Sequence, residues 1–172
     1  GSANVLLSDG RQLAGLTLDD PDGTLTLAGD LFLNLGTFNA LAGRLVLSGT
    51  LEGGALALGG AQLVLSDTSP VDGSAVTPVL RNLTISGSLD LGDGATLAVE
   101  GLQTQSLQTL RIGAGSTLAL LGAEQFTGLN IELAGGTITE DETDTDTGQL
   151  TIGAGTVVTQ DAAGATARIG PS

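Results

Sequence analysis

The amino-acid sequence predicts an all-β protein folded as a parallel β-helix, a β-solenoid in which short strands stack coil upon coil. Apolar residues alternate with small or polar ones in many triplets, which is the period of a strand with one buried face. Short groups of Gly, Asp, Ser and Asn separate the triplets, and these residues turn the chain sharply. No long Gly-free stretch has apolar residues spaced by three and four, so helices are expected to be nearly absent.

The triplets run along the whole chain. In the first half they are Leu16-Thr17-Leu18, Leu25-Thr26-Leu27, Leu31-Phe32-Leu33, Leu45-Val46-Leu47, Leu56-Ala57-Leu58, Leu63-Val64-Leu65 and Leu83-Thr84-Ile85. In the second half they are Leu89-Asp90-Leu91, Leu97-Ala98-Val99, Leu110-Arg111-Ile112, Leu118-Ala119-Leu120, Leu129-Asn130-Ile131 and Leu150-Thr151-Ile152. Stacking of coils predicts that the apolar members are buried in aligned rows, among them Leu83, Ile85, Leu110, Ile112, Leu129 and Ile131.

Longer units also repeat. A Leu-x-x-Leu-x-Leu pattern, with conservative replacements, begins at Leu13, Leu80, Leu107 and Phe126. Equivalent positions are about 19 to 29 residues apart, which is the spacing of an elastic solenoid repeat. At about 22 residues per coil the chain is expected to form about eight coils, a stiff rod roughly 35 to 40 Å long.

Two other folds compete with the β-helix. A leucine-rich repeat would need Asn or Cys three residues after the last Leu, where this chain has Pro21, Ser88, Gly115 and Ala134. A β-sandwich would use longer strands and two-residue hairpins, for which the Asp-Gly pairs at Asp9, Asp22, Asp72 and Asp93 are suitable. The β-helix is favoured because short strands, Gly turns and loops of variable length are all typical of it, and the β-sandwich remains the alternative.

Two segments are expected to leave the coils of a single domain that spans residues 1–172. Residues 66–79 contain Pro70 and Pro78, which cannot lie in a central ladder, so a surface loop is expected there. Residues 140–148 are rich in carboxylates and are expected to protrude as a solvated loop. The turn at residues 19–23, Asp-Asp-Pro-Asp-Gly, is interpreted as a solvated turn whose Asp side chains cap backbone amides, in preference to a catalytic carboxylate pair.

The acidic loop is the one candidate metal site. Its alternating carboxylates, Glu140, Glu142, Asp144 and Asp146, could direct several oxygens at a calcium ion. The EF-hand spacing is absent, because Thr147 follows Asp146 and Gly153 stands where the twelfth-position Glu would be. The hypothesis is therefore a weak calcium site, with a solvated acidic insertion as its alternative, and no other cofactor is expected.

Composition limits the function. The chain has 5 basic and 19 acidic residues and a net charge of −14, which excludes a basic nucleic-acid-binding surface. It lacks Cys and His, so disulfides, zinc sites and Ser-His-Asp triads are excluded. The five Arg are dispersed and are expected to pair with surface acids. No apolar run is long enough to insert in a bilayer.

Stretches such as residues 83–101 and 23–30 resemble the passenger domains of bacterial autotransporters and filamentous-haemagglutinin-like exoproteins. The resemblance covers most of the chain and rests on composition. It implies a right-handed parallel β-helix and a location at the bacterial cell surface or outside the cell. The chain lacks the long coil array and membrane barrel of that family, and Gly1-Ser2 look like the scar of a cleaved tag, so a fragment of a larger surface protein is expected.

The expected function is a non-enzymatic structural or adhesive module, a rigid stalk that displays loops to a host or matrix protein or to a glycan. A first alternative is a self-assembling filament or surface-layer subunit, in which copies associate end to end through the unpaired strand edges of a solenoid. A second alternative is a fragment of a carbohydrate-active enzyme, because pectin-degrading enzymes share the fold. No catalytic residue is assigned.

Overall fold

The computed structural model describes residues 4–8, 10–140, 149–160 and 168–171, and these residues form an all-β, parallel β-solenoid of about seven turns with no helix. The predicted fold class is therefore confirmed. The strands are β1 (Asn4–Ser8), β2 (Arg11–Gln12), β3 (Gly15–Phe32), β4 (Thr37–Glu52), β5 (Ala55–Leu58), β6 (Gln62–Leu65), β7 (Val79–Arg81), β8 (Thr84–Asp90), β9 (Thr96–Glu100), β10 (Gln103–Ile112), β11 (Thr117–Leu120), β12 (Ala123–Phe126), β13 (Asn130–Leu133), β14 (Thr137–Glu140), β15 (Gln149–Ile152), β16 (Val157–Gln160) and β17 (Arg168–Pro171).

Each complete coil contributes three strand segments, one to each of three parallel ladders. The first ladder contains the opening residues of β3, β4, β8 and β10 together with β5, β12 and β15. The second contains β1, the middle of β3 and β4, β6, the ends of β8 and β10, β13 and β16, and it is interrupted between β6 and β8, which do not pair. The third contains β2, the ends of β3 and β4, β7, β9, β11, β14 and β17.

The core is formed by rows of aliphatic side chains that run from coil to coil. On the third ladder the register aligns Leu31, Leu51, Leu80, Val99 and Leu120, all of which are at most 4% exposed. The six residues expected to be core, Leu83, Ile85, Leu110, Ile112, Leu129 and Ile131, are all buried. Each added coil therefore extends one continuous apolar core, as nearest-neighbour stacking requires.

The number and length of the coils differ from the sequence expectation. Ladder partners are 18 residues apart at Thr37 and Ala55 but 31 residues apart at Thr137 and Arg168. The prediction of about eight coils is wrong, because long loops between strands leave residues for only about seven coils. Strands β1 and β2 form a partial coil before them. With about 4.8 Å between stacked strands, seven coils rise about 34 Å.

The expectation of uniformly short strands is also wrong, since β3 has 18 residues and β4 has 16. Both strands supply segments to all three ladders and bend at the corners without losing their pairing. One corner depends on a close contact between Gly29 and Gly49, which are ladder partners. A Cβ atom on Gly49 would lie 2.1 Å from the carbonyl oxygen of Gly29, so a side chain there would separate the coils.

Candidate functional site

Only one of the four residues of the calcium hypothesis lies within the described residues. Glu140 is the last residue of β14 and is partly exposed, whereas Glu142, Asp144 and Asp146 lie outside the described residues. In the part of the chain that the structure describes, no group of three or more His, Cys, Asp or Glu side chains is placed to hold a metal ion. Calcium binding by the acidic segment stays a prediction.

The acidic turn at residues 19–23 is a bulge within β3, where the register between β3 and β4 shifts. Oδ1 of Asp20 accepts a hydrogen bond of 3.1 Å from the backbone N–H of Asp22. The expected capping of a backbone amide by Asp is confirmed, and the turn lies at a corner of the solenoid rather than between separate strands. The hydrogen bond to Asp20 lies within the bend of the chain at this corner.

The predicted loop at residues 66–79 does leave the coil, between β6 and β7, although Val79 already belongs to β7. An antiparallel bridge joins Thr68 and Ala75, and the N–H of Ser69 donates to the carbonyl of Ser74 at 2.8 Å. Hydrogen bonds from the hydroxyl and the N–H of Ser74 lower the pKa of the Asp72 carboxyl. The loop is therefore an ordered projection, with the side chain of Val71 exposed near its tip.

Two of the arginines form the expected surface pairs. Nε of Arg81 is 2.6 Å from Oε2 of Glu100, and an Arg111 terminal nitrogen is 3.1 Å from Oδ1 of Asp90. The hydrogen bond to Asp90 raises the pKa of Arg111. Both pairs are more than a third exposed, so each is expected to contribute less than about 1 kcal/mol to folding.

A feature that sequence reasoning missed is the carboxylate of Glu124, which is buried in the wall of the solenoid with only 2% of the residue exposed. Oε1 accepts from the backbone N–H of Gly101 at 2.5 Å, and Oε2 accepts from the N–H of Leu102 at 3.0 Å. The side chain thus joins the start of the fifth coil to the sixth. A buried carboxylate is rare unless it is hydrogen-bonded or paired, and both of its oxygens are bonded here.

Glu124 lies where the first ladder is interrupted. Strand β12 pairs with β15 on one side, but no ladder joins it to β10 on the other. A pocket of about 200 Å³ occurs at this break, and its lining includes Gln103, Thr104, Gln105, Gln125 and Glu124 itself. The amide and hydroxyl groups make the wall polar at this break.

Burial is the main reason that the pKa of Glu124 is raised. The negative charge of Glu100 raises it further, whereas the two backbone N–H donors lower it without cancelling the effect of burial. This site can therefore hold a proton at a higher pH than an exposed Glu does, and it offers hydrogen-bond donors and acceptors to anything in the pocket.

The signal for Glu124 was present in the alternation. In Ala123-Glu124-Gln125-Phe126 the Glu stands two residues before the buried Phe126, so a strand of period two directs both side chains inward. A charged residue in an inward position was the available indication of a buried polar site. Strand β12 lacks an apolar triplet, so the triplet pattern does not predict it.

Comparison of the chain with protein-family models, with curated proteins and with solved structures finds no match. The resemblance to autotransporter passengers and filamentous-haemagglutinin-like proteins, and the surface location it implies, stay predictions. Among the described residues there is no helix with the length and apolar character needed to cross a bilayer.

Proposed function

We propose that this chain is a non-enzymatic structural module of a bacterial surface or extracellular protein, a stiff stalk that presents loops. The observation that supports the proposal is the uninterrupted core. Rows such as Leu31, Leu51, Leu80, Val99 and Leu120 connect successive coils, so bending the rod would open apolar contacts on one side. Stiffness and resistance to proteases are the properties that a spacer requires.

The projection at residues 66–78 is the part of the stalk best suited to contact a partner. It stands between β6 and β7 on a scaffold of stacked strands, and binding residues commonly occur on loops that a rigid scaffold positions. Its internal hydrogen bonds order it before any contact, which lowers the entropic cost of binding. A matrix protein or a glycan is the proposed class of partner.

The stalk function can be tested by pulling the chain from its two ends. The protein has no Cys, so Asn4→Cys and Val157→Cys provide two unique attachment points on exposed terminal strands. A stack held by nearest-neighbour contacts should unfold in steps of about one coil, each releasing roughly 70 Å for about 20 residues. Gradual extension at low force, without steps, would contradict the function of a stiff stalk.

The adhesive function needs a separate measurement. We expect a screen of glycans and matrix proteins to find a partner that the intact chain binds and that a variant with residues 67–77 replaced by a short Gly-Ser linker does not. The melting temperatures of the two proteins should be similar, because the loop contributes little to the core. Binding that survives in the shortened variant would remove the loop from the proposal, and release of reducing sugars from a polysaccharide would favour the enzyme alternative.

A second candidate function is end-to-end self-association. The terminal strands expose large apolar side chains, namely Val5 and Leu6 on β1, Ile152 on β15, and Val157 and Val158 on β16. Among the described residues each of these strands pairs on one side only. A head-to-tail contact through such edges gives open filaments rather than closed rings. Because the net charge of −14 opposes association, light scattering should rise with salt. A constant monomer mass from low to high salt would contradict this function.

A further inference from the structure

We propose that the free edge of β6 is a docking site for an extended polypeptide segment, which adds a strand to the second ladder. The site lies between the third coil, which contains β5, β6 and β7, and the fourth, which contains β8 and β9. The partner is a flexible segment of another protein, with apolar residues at alternate positions. The inference depends neither on the stalk function nor on the loop at residues 66–78.

Strand β6 is an edge strand in the middle of the rod. Among the described residues it pairs with β4 on one side and with no strand on the other. With few exceptions its Cα atoms lie more than 8 Å from those of β8, the next strand of the ladder. Paired strands are about 4.8 Å apart, so β6 and β8 are too distant to bond directly. The first and third ladders continue through these coils, and the opening is therefore local to one wall.

The different corners of the two coils account for the opening. In the third coil the residues from Gly59 to Ala61 separate the first-ladder strand from the second-ladder strand. In the fourth coil Gly87, which pairs in the first ladder, is followed directly by Ser88, which pairs in the second. The two second-ladder segments therefore leave their corners at different places. At its other end β6 continues into the projection at residues 66–78.

The free edge presents the backbone groups of Leu63 and Leu65. On the paired side, the N–H of Ser66 donates to the carbonyl of Leu47 of β4 at 2.9 Å. Alternate residues of a strand direct their backbone groups to the same side, so Val64 also faces β4, whereas Leu63 and Leu65 face the opening. Their N–H and C=O groups have no ladder partner in the part of the chain that the structure describes. Because these groups repeat with the period of an extended chain, an added strand can bond to all of them.

The side chains of the same two residues supply apolar surface. Leu63 and Leu65 are in register with Leu45 and Leu47 of β4, each of which is 1% exposed. Leu63 and Leu65 pack against the same core but are only partly buried. The absence of a paired neighbour leaves them uncovered. Apolar side chains at alternate positions of an added strand would lie over them and remove this surface from water.

A groove of about 480 Å³ leads to this edge. Its lining includes Gly59, Gly60 and Ala61 at the corner of the third coil, Ser88 of the fourth and Gln108 of the fifth. Glycine and other small residues allow a second backbone to approach closely. The edge faces the fourth coil of its own rod, so a folded domain is blocked along that direction, whereas a single extended chain can enter.

Charge selects among extended segments. Residues 59–66 carry no charge, and Asp90 of β8 is paired with Arg111 at 3.1 Å. The whole chain has a net charge of −14, so it repels an acidic segment. The segment that fits is therefore one with apolar residues two apart and with uncharged or basic residues around them.

Amide hydrogen exchange of the intact chain tests whether the edge is free. After correction for intrinsic rates, exchange at Leu63 and Leu65 should be at least about tenfold faster than at Val64, whose N–H faces β4. This ratio should not change with protein concentration. Equal protection of the three amides would overturn the proposal. Protection of Leu63 and Leu65 that rises with concentration would assign the edge to a second copy of the chain, which would overturn it as well.

A displayed library of linear peptides of about nine residues tests the chemistry of the partner. The intact chain should select sequences with apolar residues two apart and few acidic residues. A selected peptide at saturation should slow exchange at Leu63 and Leu65 by at least about tenfold and leave Val64 unchanged. N-methylation of one alternate set of peptide amides should abolish binding, and methylation of the other set should not, because those N–H groups face away from β6. Failure to select any peptide, or selection of peptides that protect other amides, would overturn the proposal.

A matched pair of variants locates the binding. Ser88→Trp places a large ring at the groove and should weaken binding of the selected peptide by at least about tenfold. Asn130→Trp adds the same ring at an exposed position of the same row, two coils further on, and should leave binding unchanged. If Ser88→Trp does not fold, Gln108→Trp takes its place, since Gln108 also lines the groove and is exposed. Equal peptide binding by the groove variant and by Asn130→Trp would overturn the proposal.

Discussion

The strongest test of the core is Ile112→Ala. Ile112 is fully buried at the end of β10, next in the row after Leu91 and before Leu133. The substitution removes three carbon atoms, which is worth about 2.4 kcal/mol at about 0.8 kcal/mol per buried methylene. Coils on both sides limit collapse around the cavity, so the total loss is expected to be about 3–4 kcal/mol.

The loss should be measured by urea unfolding followed by circular dichroism, because the chain has no Trp or Tyr for fluorescence. A loss of 3–4 kcal/mol corresponds to a fall in melting temperature of about 6–16 °C for a chain of this size.

The Ile112 side chain also packs closely against the backbone of Gly136. A Cβ atom on Gly136 would lie 2.3 Å from Cγ2 of Ile112, so this position has no room for a side chain.

The adjacent residue provides the matched control. Arg111 points outward from the same strand, its side chain is 36% exposed, and its pair with Asp90 contributes less than about 1 kcal/mol. Arg111→Ala should therefore lower the free energy of unfolding much less than Ile112→Ala does. If Ile112→Ala cost less than about 0.5 kcal/mol, or less than Arg111→Ala, the inward and outward faces of β10 would be assigned the wrong way round.

Three further predictions concern the corners and the acidic segment. Gly49→Ala should lower the free energy of unfolding by about 1–3 kcal/mol in urea melts, because its Cβ would strike the backbone of Gly29, and unchanged stability would contradict that close contact. Leu35→Gly should raise the free energy of unfolding by about 0.5–1 kcal/mol in the same assay, because Leu35 has a φ of 67° and is 93% exposed. A lower free energy of unfolding would mean that the Leu35 side chain makes a stabilising contact. Saturating calcium should stabilise the chain by about 1–3 kcal/mol relative to chelator. Asp144→Asn with Asp146→Asn should abolish that gain, and an equal gain in both proteins would indicate general screening.

The fold class was predictable because period two is a local property. Whichever coil a triplet joins, alternate residues face the same side, so burial of residues such as Leu83 and Ile131 follows from the sequence alone. The turns were predictable for a similar reason, because Gly and Asp bend the chain regardless of their neighbours in space. These signals require no knowledge of which strands pair.

The coil register could not be predicted in this way. The repeated pattern would align Leu110 with Leu129, but the ladder pairs Leu110 with Ile131, a shift of two residues. A shift of two keeps every inward side chain inward, so alternation does not distinguish the two registers. The distinction comes from contacts between coils, such as the N–H of Ala134 donating to the carbonyl of Ile112 at 2.9 Å.

The same reasoning explains why the most unusual group was missed. A stack of apolar rows tolerates an inward Glu only where the neighbouring coil supplies hydrogen-bond donors, and those donors belong to Gly101 and Leu102, some 20 residues earlier. No local pattern around Glu124 reports that these amides lack a carbonyl partner. The site arises from the way two coils meet. The alternation marks Glu124 as an inward charged residue, but the donors that complete the site are identified only once the register between coils is known.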